Sequence, residues 1–310
     1  MPKIKKSLTV ICHNLVCGGT EKVITNLVYF YSKQNINTTI ITFGPANIFS
    51  GFKISEKTRI LELPKNSSNN IFKKLSNILI WIFKINIYIK NNNESVYLSF
   101  LTIPTIVTII SSLNKKINHY GSERINPKYV NLPFHWRFLR FITYWKMNSL
   151  IVQTKEIKNN FINYIPKRQL TIIPNSISQV IEKNEVNKEI GTRKIKILFI
   201  GRLEFQKGID VVLESIIKIF NSKIKDQFIF EIVGNGTLCK KVENTIKNNN
   251  LSSYVRFIKG TNDPTKVIRE SHIILHPSRY EGMSNVVLEA MSLGKCVIST
   301  YKASSEIIKN

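Results

Sequence analysis

A chain of 310 residues with 43% hydrophobic and 10% aromatic side chains has apolar mass for about two ordinary domains, which excludes a disordered tail or a small disulfide-stapled fold. Its 45 Lys and Arg against 20 Asp and Glu leave a formal charge of +25, which invites a nucleic acid or an anionic surface as partner. The cations are nevertheless spread along the chain among Ile and Asn, as an AT-rich coding bias would spread them, so charge alone does not select nucleic acid.

The start of the chain, residues 1 to 19, is basic and then apolar, the outline of a signal peptide. His13 and Asn14 interrupt the apolar run and no small-residue cleavage site follows, so Ser7 to Cys12 is expected as a first strand. Gly18-Gly19-Thr20-Glu21 then opens an apolar-periodic helix through about Lys33. A strand, a Gly-Gly turn and a helix N-terminus direct free amides and the helix dipole at the turn, which suits phosphate; a plain tight connection is the alternative. Thr38 to Phe43 and Arg59 to Leu63 read as strands. Ile71 to Lys90 reads as an apolar helix carrying Lys73, Lys74, Lys84 and Lys90 and no acid. Ser122-Glu123-Arg124, within His119 to Pro127, ends a further strand. Leu132 to Lys146 combines Phe134, Trp136, Phe138, Phe141, Tyr144 and Trp145 with Arg137, Arg140 and Lys146. Such basic aromatic helices fit an anionic membrane surface, or else cover a sheet with their long cations reaching out from it. Asn148 to Gln153 is another strand, with a helix after Thr154. No uninterrupted apolar run reaches about 18 residues, so no spanning helix is expected. Strand alternating with helix argues an α/β, doubly wound parallel sheet.

Ile172-Ile173-Pro174-Asn175-Ser176 and the polar stretch Gln179 to Lys194 mark a boundary, giving a first domain over 1–175, a linker over 176–194 and a second domain over 195–310. Ile195 to Ile200 is a strand, and Gly201-Arg202-Leu203-Glu204-Phe205-Gln206-Lys207-Gly208 leads from it into a helix, Ile209 to Phe220. Arg202 brings a forked set of donors and Lys207 a point charge to this strand-end loop, an anion's place or simply two surface cations. Phe228 to Val233 follows, then Gly234-Asn235-Gly236, a lone G-x-G that often is only a turn. Val255 to Ile258 is the next strand, and Asp263-Pro264 opens a short helix. His272 to His276 is a strand closed by Pro277, and a helix begins at Ser284 or Asn285, both good N-caps. Glu281 therefore lies on a loop at a strand's carboxyl end and Glu289 in the helix body, before Gly294 and the strand Cys296 to Thr300. Cys12, Cys17, Cys239 and Cys296 make no C-x-x-C and no zinc spacing, and four scattered thiols suit a reducing cytosol.

The succession strand, Glu281-Gly282 loop, helix N-terminus, Glu289-Ala290-Met291, glycine, strand resembles the E-x7-E signature of retaining glycosyltransferases of family 4. Gly201-Arg202-Leu203 with Lys207-Gly208 resembles that family's diphosphate site, Gly18-Gly19-Thr20-Glu21 its Gly-Gly-x-Glu, and Ile173-Pro174-Asn175 its crossing between domains. Ser122-Glu123-Arg124 with Pro127 is similar to a Ser-Glu-Arg-x-x-Pro segment in members that build bacterial surface glycans. The resemblance implies the GT-B fold, two Rossmann-like domains facing a cleft. It implies catalytic roles for Glu281, Arg202 and Lys207, with Glu281 on the donor sugar and the two cations on the diphosphate. It also implies a donor-binding set of Gly18, Gly19, Gly201, Gly234, Gly236, Gly282, Met283, Ser284, Asn285 and Glu289, in which Glu289 takes the nucleotide ribose and Gly18 and Gly19 line the cleft across from the donor.

No metal and no cofactor are implied, and no Asp-x-Asp occurs to bridge one. Partners would be a UDP-hexose or UDP-N-acetylhexosamine donor and a lipid-linked or polysaccharide acceptor, with no nucleic acid. The enzyme would sit in the cytoplasm, peripheral at the inner face of the cell membrane and against its anionic surface. Three departures stand out. Ser284 and Cys296 occupy positions where the family favours Pro, and the chain stops at Asn310 where family members continue with another strand and helices. The second domain is therefore expected to be incomplete. An inactive truncated member, a GT-B epimerase, and a basic membrane- or nucleic-acid-binding module are the alternatives.

Overall fold

The computed structural model describes residues 7–16, 18–65, 70–177, 194–304 and 306–308. The basic stretch before Ser7, Cys17, most of the expected linker (178–193) and Ser305 lie outside the described residues. The chain divides into two compact units, Met1–Asn175 and Ser176–Asn310.

The first unit runs β1 (Ser7–Cys12), α1 (Gly19–Lys33), β2 (Asn37–Phe43), β3 (Arg59–Leu63), α2 (Ile71–Asn91), β4 (Val96–Phe100), α3 (Thr102–Ser111), β5 (Asn118–Ser122), α4 (Phe134–Thr143), β6 (Ser149–Val152), α5 (Lys155–Phe161) and β7 (Leu170–Ile172). Its strands form one parallel sheet in the order β3-β2-β1-β4-β5-β6-β7. Both sheet faces are covered, so β1 and β2 are buried along most of their length on both sides, with Thr9, Thr38 and Thr42 buried among their apolar residues. On one face Ile24 and Val28 of α1 pack on Leu8, Val10 and Ile40. On the other, Trp81, Ile85 and Ile89 of α2 meet Ile11, Ile41 and Phe43, and α3, α4 and α5 bring Ile106, Trp136 and Phe161 together.

β4 and α3 escape the sequence reading. Thr102, Thr105, Thr108 and Ser111 of α3 are as buried as Ile106 and Ile109, so this central helix shows no polar face to set a period. The three hydroxyls Thr105, Thr108 and Ser111 satisfy themselves by donating to the carbonyls of Leu101, Pro104 and Val107, four residues back. The expected helix from Leu132 starts only at Phe134, after Pro133, and gives way at Tyr144–Lys146 to a 3-10 turn. β7 reads in the sequence as the start of the linker, because only three residues pair.

The second unit runs β8 (Ile195–Ile200), α6 (Ile209–Phe220), β9 (Phe228–Val233), α7 (Cys239–Asn248), β10 (Val255–Ile258), α8 (Pro264–Arg269), β11 (Ile273–His276), α9 (Asn285–Ser292) and β12 (Cys296–Ser299), with a last turn of helix at Tyr301–Ser304. The strands pair in parallel in the order β10-β9-β8-β11-β12. Ile209, Val212, Leu213 and Ile216 of α6 bury one stripe at i, i+3, i+4 and i+7 against Ile197, Phe199 and Phe230. The order of connection reverses between β8 and β11. That switch point opens a crevice beyond the carboxyl ends of the strands, where open parallel sheets take their ligands.

Candidate active site

Two loops flank the switch point of the second unit, Gly201–Gly208 after β8 and Pro277–Ser284 after β11. The first is stitched to its neighbour. Gly201 N donates to Val233 O at 3.0 Å and Leu203 N to Asn235 O at 2.9 Å. The Glu204 carboxylate accepts from Thr237 Oγ1 at 2.6 Å and Thr237 N at 3.0 Å, and these bonds lower its pKa. A Cβ on Gly234 would fall 1.9 Å from the Gly201 carbonyl oxygen, so only glycine lets these strand ends touch. Gly208 is left-handed, at φ 70 and ψ 27, and a Cβ there would stand 2.2 Å from Pro277 O. The second loop grips the first from its other side. Arg279 forks onto Asp210 at 2.9 and 2.6 Å, donates to Phe205 O at 2.6 Å and lies 3.7 Å over the Phe205 ring.

At the centre, Lys207 Nζ meets Glu281 Oε1 at 2.5 Å, and His276 Nε2 stands 3.5 Å from the same oxygen. The Glu281 side chain is only 10% exposed. Burial by itself pushes the carboxyl pKa up, but the His276 hydrogen bond and the Lys207 charge outweigh it and bring the value to about 2. His276 is itself a hub: its Nε2 lies 2.9 Å from Ser284 Oγ and 3.3 Å from Ser278 Oγ, and its Nδ1 3.2 Å from Ser299 Oγ. Ser284 also accepts from Val287 N, which caps α9 and fixes the helix N-terminus beside the histidine. The site thus gathers a carboxylate whose pKa is held low, a lysine and a helix N-terminus at one strand end.

The structure brings Glu281, Lys207, Gly208 and Ser284 into this centre. Arg202 sits on the same loop but is exposed and turned toward Gln206 Oε1 at 3.2 Å, with no carboxylate within 4 Å among the described residues. Gly201, Gly234 and Gly236 line the adjoining loop contacts, and Gly282 and Met283 lie between Glu281 and the helix. Asn285 begins α9 and Glu289 stands about 6 Å further along its axis. Gly18 and Gly19 are placed in the other unit, where α1 opens. Sequence reading missed His276, Arg279 and Asp210. His276 ends a buried strand, so a residue type usual in either a core or a site gave no contrast. The Arg279–Asp210 pair spans 69 residues, beyond any local spacing.

In the first unit Glu123 is buried, accepting from Tyr144 OH at 2.5 Å and Thr102 Oγ1 at 2.6 Å. Burial raises its pKa against those bonds and the charge of Arg140. His119, assigned no role from sequence, is buried in the sheet with Nε2 2.8 Å from Ser99 Oγ. Among the described residues no three His, Cys, Asp or Glu side chains group as metal ligands, and no helix is long and apolar enough to cross a membrane.

Residues 180–310 match the family of glycosyl transferases group 1. An uncharacterized glycosyltransferase of Methanocaldococcus jannaschii is 32% identical over 164 residues, 52% of this chain and 42% of that protein. The UDP-Gal:alpha-D-GlcNAc-diphosphoundecaprenol alpha-1,3-galactosyltransferase of Escherichia coli is 25% identical over 63% of this chain and 53% of its own. The chain therefore spans about half the length of these two relatives. The solved apo structure of the lipopolysaccharide outer core galactosyltransferase WaaB superposes with a TM-score of 0.70 at 17% identity, over 98% of this chain and 84% of that one. The fold is GT-B-like, and the stretch that matches group 1 glycosyl transferases, residues 180–310, contains the whole Glu281–Lys207–His276 centre.

Proposed function

We propose that this chain is a retaining glycosyltransferase that moves a hexose or N-acetylhexosamine from a UDP-sugar to a lipid-linked glycan in bacterial surface-polysaccharide assembly. The observation that carries the reading is Glu281, kept ionised by Lys207 and His276 at the switch point of the second unit's sheet. A carboxylate there has the charge to meet a sugar on which positive charge develops at C1. Arg202, with no carboxylate within 4 Å among the described residues, and Lys207 supply the cations that a departing nucleoside diphosphate needs, so no metal is required. Gly201, where a Cβ would meet nothing closer than the Lys207 side chain at 4.0 Å, leaves backbone open to the nucleotide, Gly234 and Gly236 let the loops around it close on one another, and Glu289 suits a ribose hydroxyl. In transfer, the bond from C1 to the β-phosphate oxygen breaks as the acceptor oxygen bonds C1 from the same side. The acceptor's proton passes to the departing diphosphate.

The E. coli relative names both a UDP-sugar and a diphosphoundecaprenol-linked acceptor, which favours this substrate pair. A lipid-linked acceptor puts the enzyme at the cytoplasmic membrane face, and the exposed apolar sides of α2 and α4 favour the same place. Incubation with a panel of UDP-sugars and a lipid-diphosphate-linked sugar, read by mass spectrometry and by the anomeric proton coupling, tests the proposal. The expected product is one hexose or N-acetylhexosamine heavier, with the donor's anomeric configuration. Inverted product, or donor consumed without any acceptor, would overturn it; the latter is what an epimerase would do.

A further inference from the structure

Three neighbouring strands of the first unit end in polar side chains that meet. Arg124 follows β5 by two residues, Gln153 follows β6 directly, and Asn175 comes three residues after β7. Arg124 is 9% exposed and Gln153 2%. Arg124 Nη2 donates to Asn175 Oδ1. With the Gln153 amide oriented to satisfy both its ends, Gln153 Oε1 accepts from the same Nη2 at 3.1 Å and Gln153 Nε2 donates to the Arg124 carbonyl at 2.9 Å. Two neutral amides thus aim the guanidinium, and among the described residues no carboxylate lies within 4 Å of it.

A cation this buried ordinarily faces an acid, because an unpaired charge is costly to desolvate. The acids nearest in sequence are engaged elsewhere. Glu123 accepts from Thr102 and Tyr144, and Glu156 accepts from Asn126 Nδ2 at 2.9 Å. Burial draws the Arg124 pKa down to about 10, with no acid among the described residues to restore it. Its place is the carboxyl edge of a parallel sheet, the edge that takes ligands. Beside it, at the end of β4, Leu101 holds φ 70 and ψ 168, a region that side-chain-bearing residues avoid, while its amide donates to Ser122 O at 2.9 Å. Strain of this kind gathers at binding sites.

We propose that Arg124, aimed by Asn175 and Gln153, anchors an anion site in the first unit whose ligand is the phosphate or diphosphate of the glycosyl acceptor. A guanidinium fork matches two phosphate oxygens, and the free acid-less geometry leaves its remaining donors for them. That the phosphate belongs to the acceptor rests on the transferase reading, in which the donor's diphosphate is taken by Arg202 and Lys207; the anion site itself does not.

The test uses the whole chain, saturated with UDP to fill the second unit's phosphate site and then titrated calorimetrically with inorganic pyrophosphate. One further site is expected, weakened at least tenfold in Arg124→Gln and less in Arg124→Lys, with malonate binding at least tenfold more weakly than pyrophosphate. In the wild-type protein pyrophosphate should also slow amide exchange around residues 122–126 and 173–176, a readout that stands if Arg124→Gln fails to fold. Absence of the second site, equal binding by Arg124→Gln, or unchanged exchange in those segments would overturn the proposal. If UDP itself does not bind, the transferase reading fails. Pyrophosphate alone, with its dependence on Arg124 and its exchange footprint, then decides the anion site separately.

Discussion

Glu281 and Lys207 are unequal partners. Glu281 has one lysine and one histidine around a side chain with 10% exposure, whereas Lys207 has a longer stem and 17% exposure and can turn to water. Glu281→Ala should therefore leave the protein folded and lower melting less than loss of Lys207 does, while transfer falls about 10²–10³-fold, the loss of one transition-state electrostatic contact at about 2.7–4 kcal/mol. Lys207→Met should destabilise more, since it leaves the buried carboxylate with the histidine alone. The pH dependence has a definite sign. The folded pKa of Glu281 is depressed from 4.5 to about 2, so its contribution to stability is complete above about 4.5 and is lost as pH falls through about 2. An acid limb of activity near pH 4.5 should thus be absent in the wild type. It should emerge in His276→Ala, where the carboxylate loses that hydrogen bond and its pKa rises; kcat/KM against pH measures it.

At the scale of elements, much of the sheet and the loops was legible because the relevant signals are local. The stripe of α6, the caps Ser284 and Asp263, and the Gly-Arg-Leu loop all lie within a dozen residues of what they determine. α3 was not, since its buried hydroxyls hide from a hydrophobic pattern, and neither was His276, whose partners come from Ser278, Ser284 and Ser299. Gly208 shows how a local signal acquires tertiary content: Gly208→Ala should cost about 1–3 kcal/mol from the left-handed backbone alone, and more from the contact with Pro277 O. A urea unfolding series should show this loss in the second unit, and an unchanged midpoint would contradict it.

α2 and α4 carry the other element-scale prediction. α2 buries Trp81, Ile85 and Ile89, yet its opposite side exposes Phe72 (80%), Leu79 (67%) and Phe83 (66%) with Leu75 and Ile87 in the same stripe. α4 and the turn after it expose Phe134 (79%), Phe138 and Trp145, with Arg137 and Lys146 among them. α3 packs between these helices on one sheet face. Basic, acid-free apolar crests suit an anionic lipid surface, each exposed ring offering part of the roughly 1.5–3 kcal/mol of a fully buried one. The protein should co-sediment with phosphatidylglycerol vesicles and much less with phosphatidylcholine ones. Phe83→Ser with Phe138→Ser should weaken this at least tenfold without moving the melting temperature. Equal binding to both vesicle types would remove the electrostatic half of the account.

For the molecule as a whole, the alternation of strand and helix and the polar stretch after Asn175 already suggested two doubly wound domains, and the two parallel sheets carry that architecture. The net charge of +25 was the least informative quantity, since its value is set by residues dispersed over both units. Candidate chemistry could be read where one loop holds it, as with Arg202 to Gly208. It was hidden where distant strand ends converge, as at Arg124, Gln153 and Asn175. What joins these scales is the proposal of transfer at Glu281 without a metal. The direct measurement is a single-turnover assay with UDP-sugar and lipid-linked acceptor in excess EDTA, on the wild type and on Glu281→Ala. The wild-type rate should be indifferent to EDTA and the variant slower by about two to three orders of magnitude. A wild-type rate that collapses in EDTA, or a variant that transfers as fast as the wild type, would contradict the account.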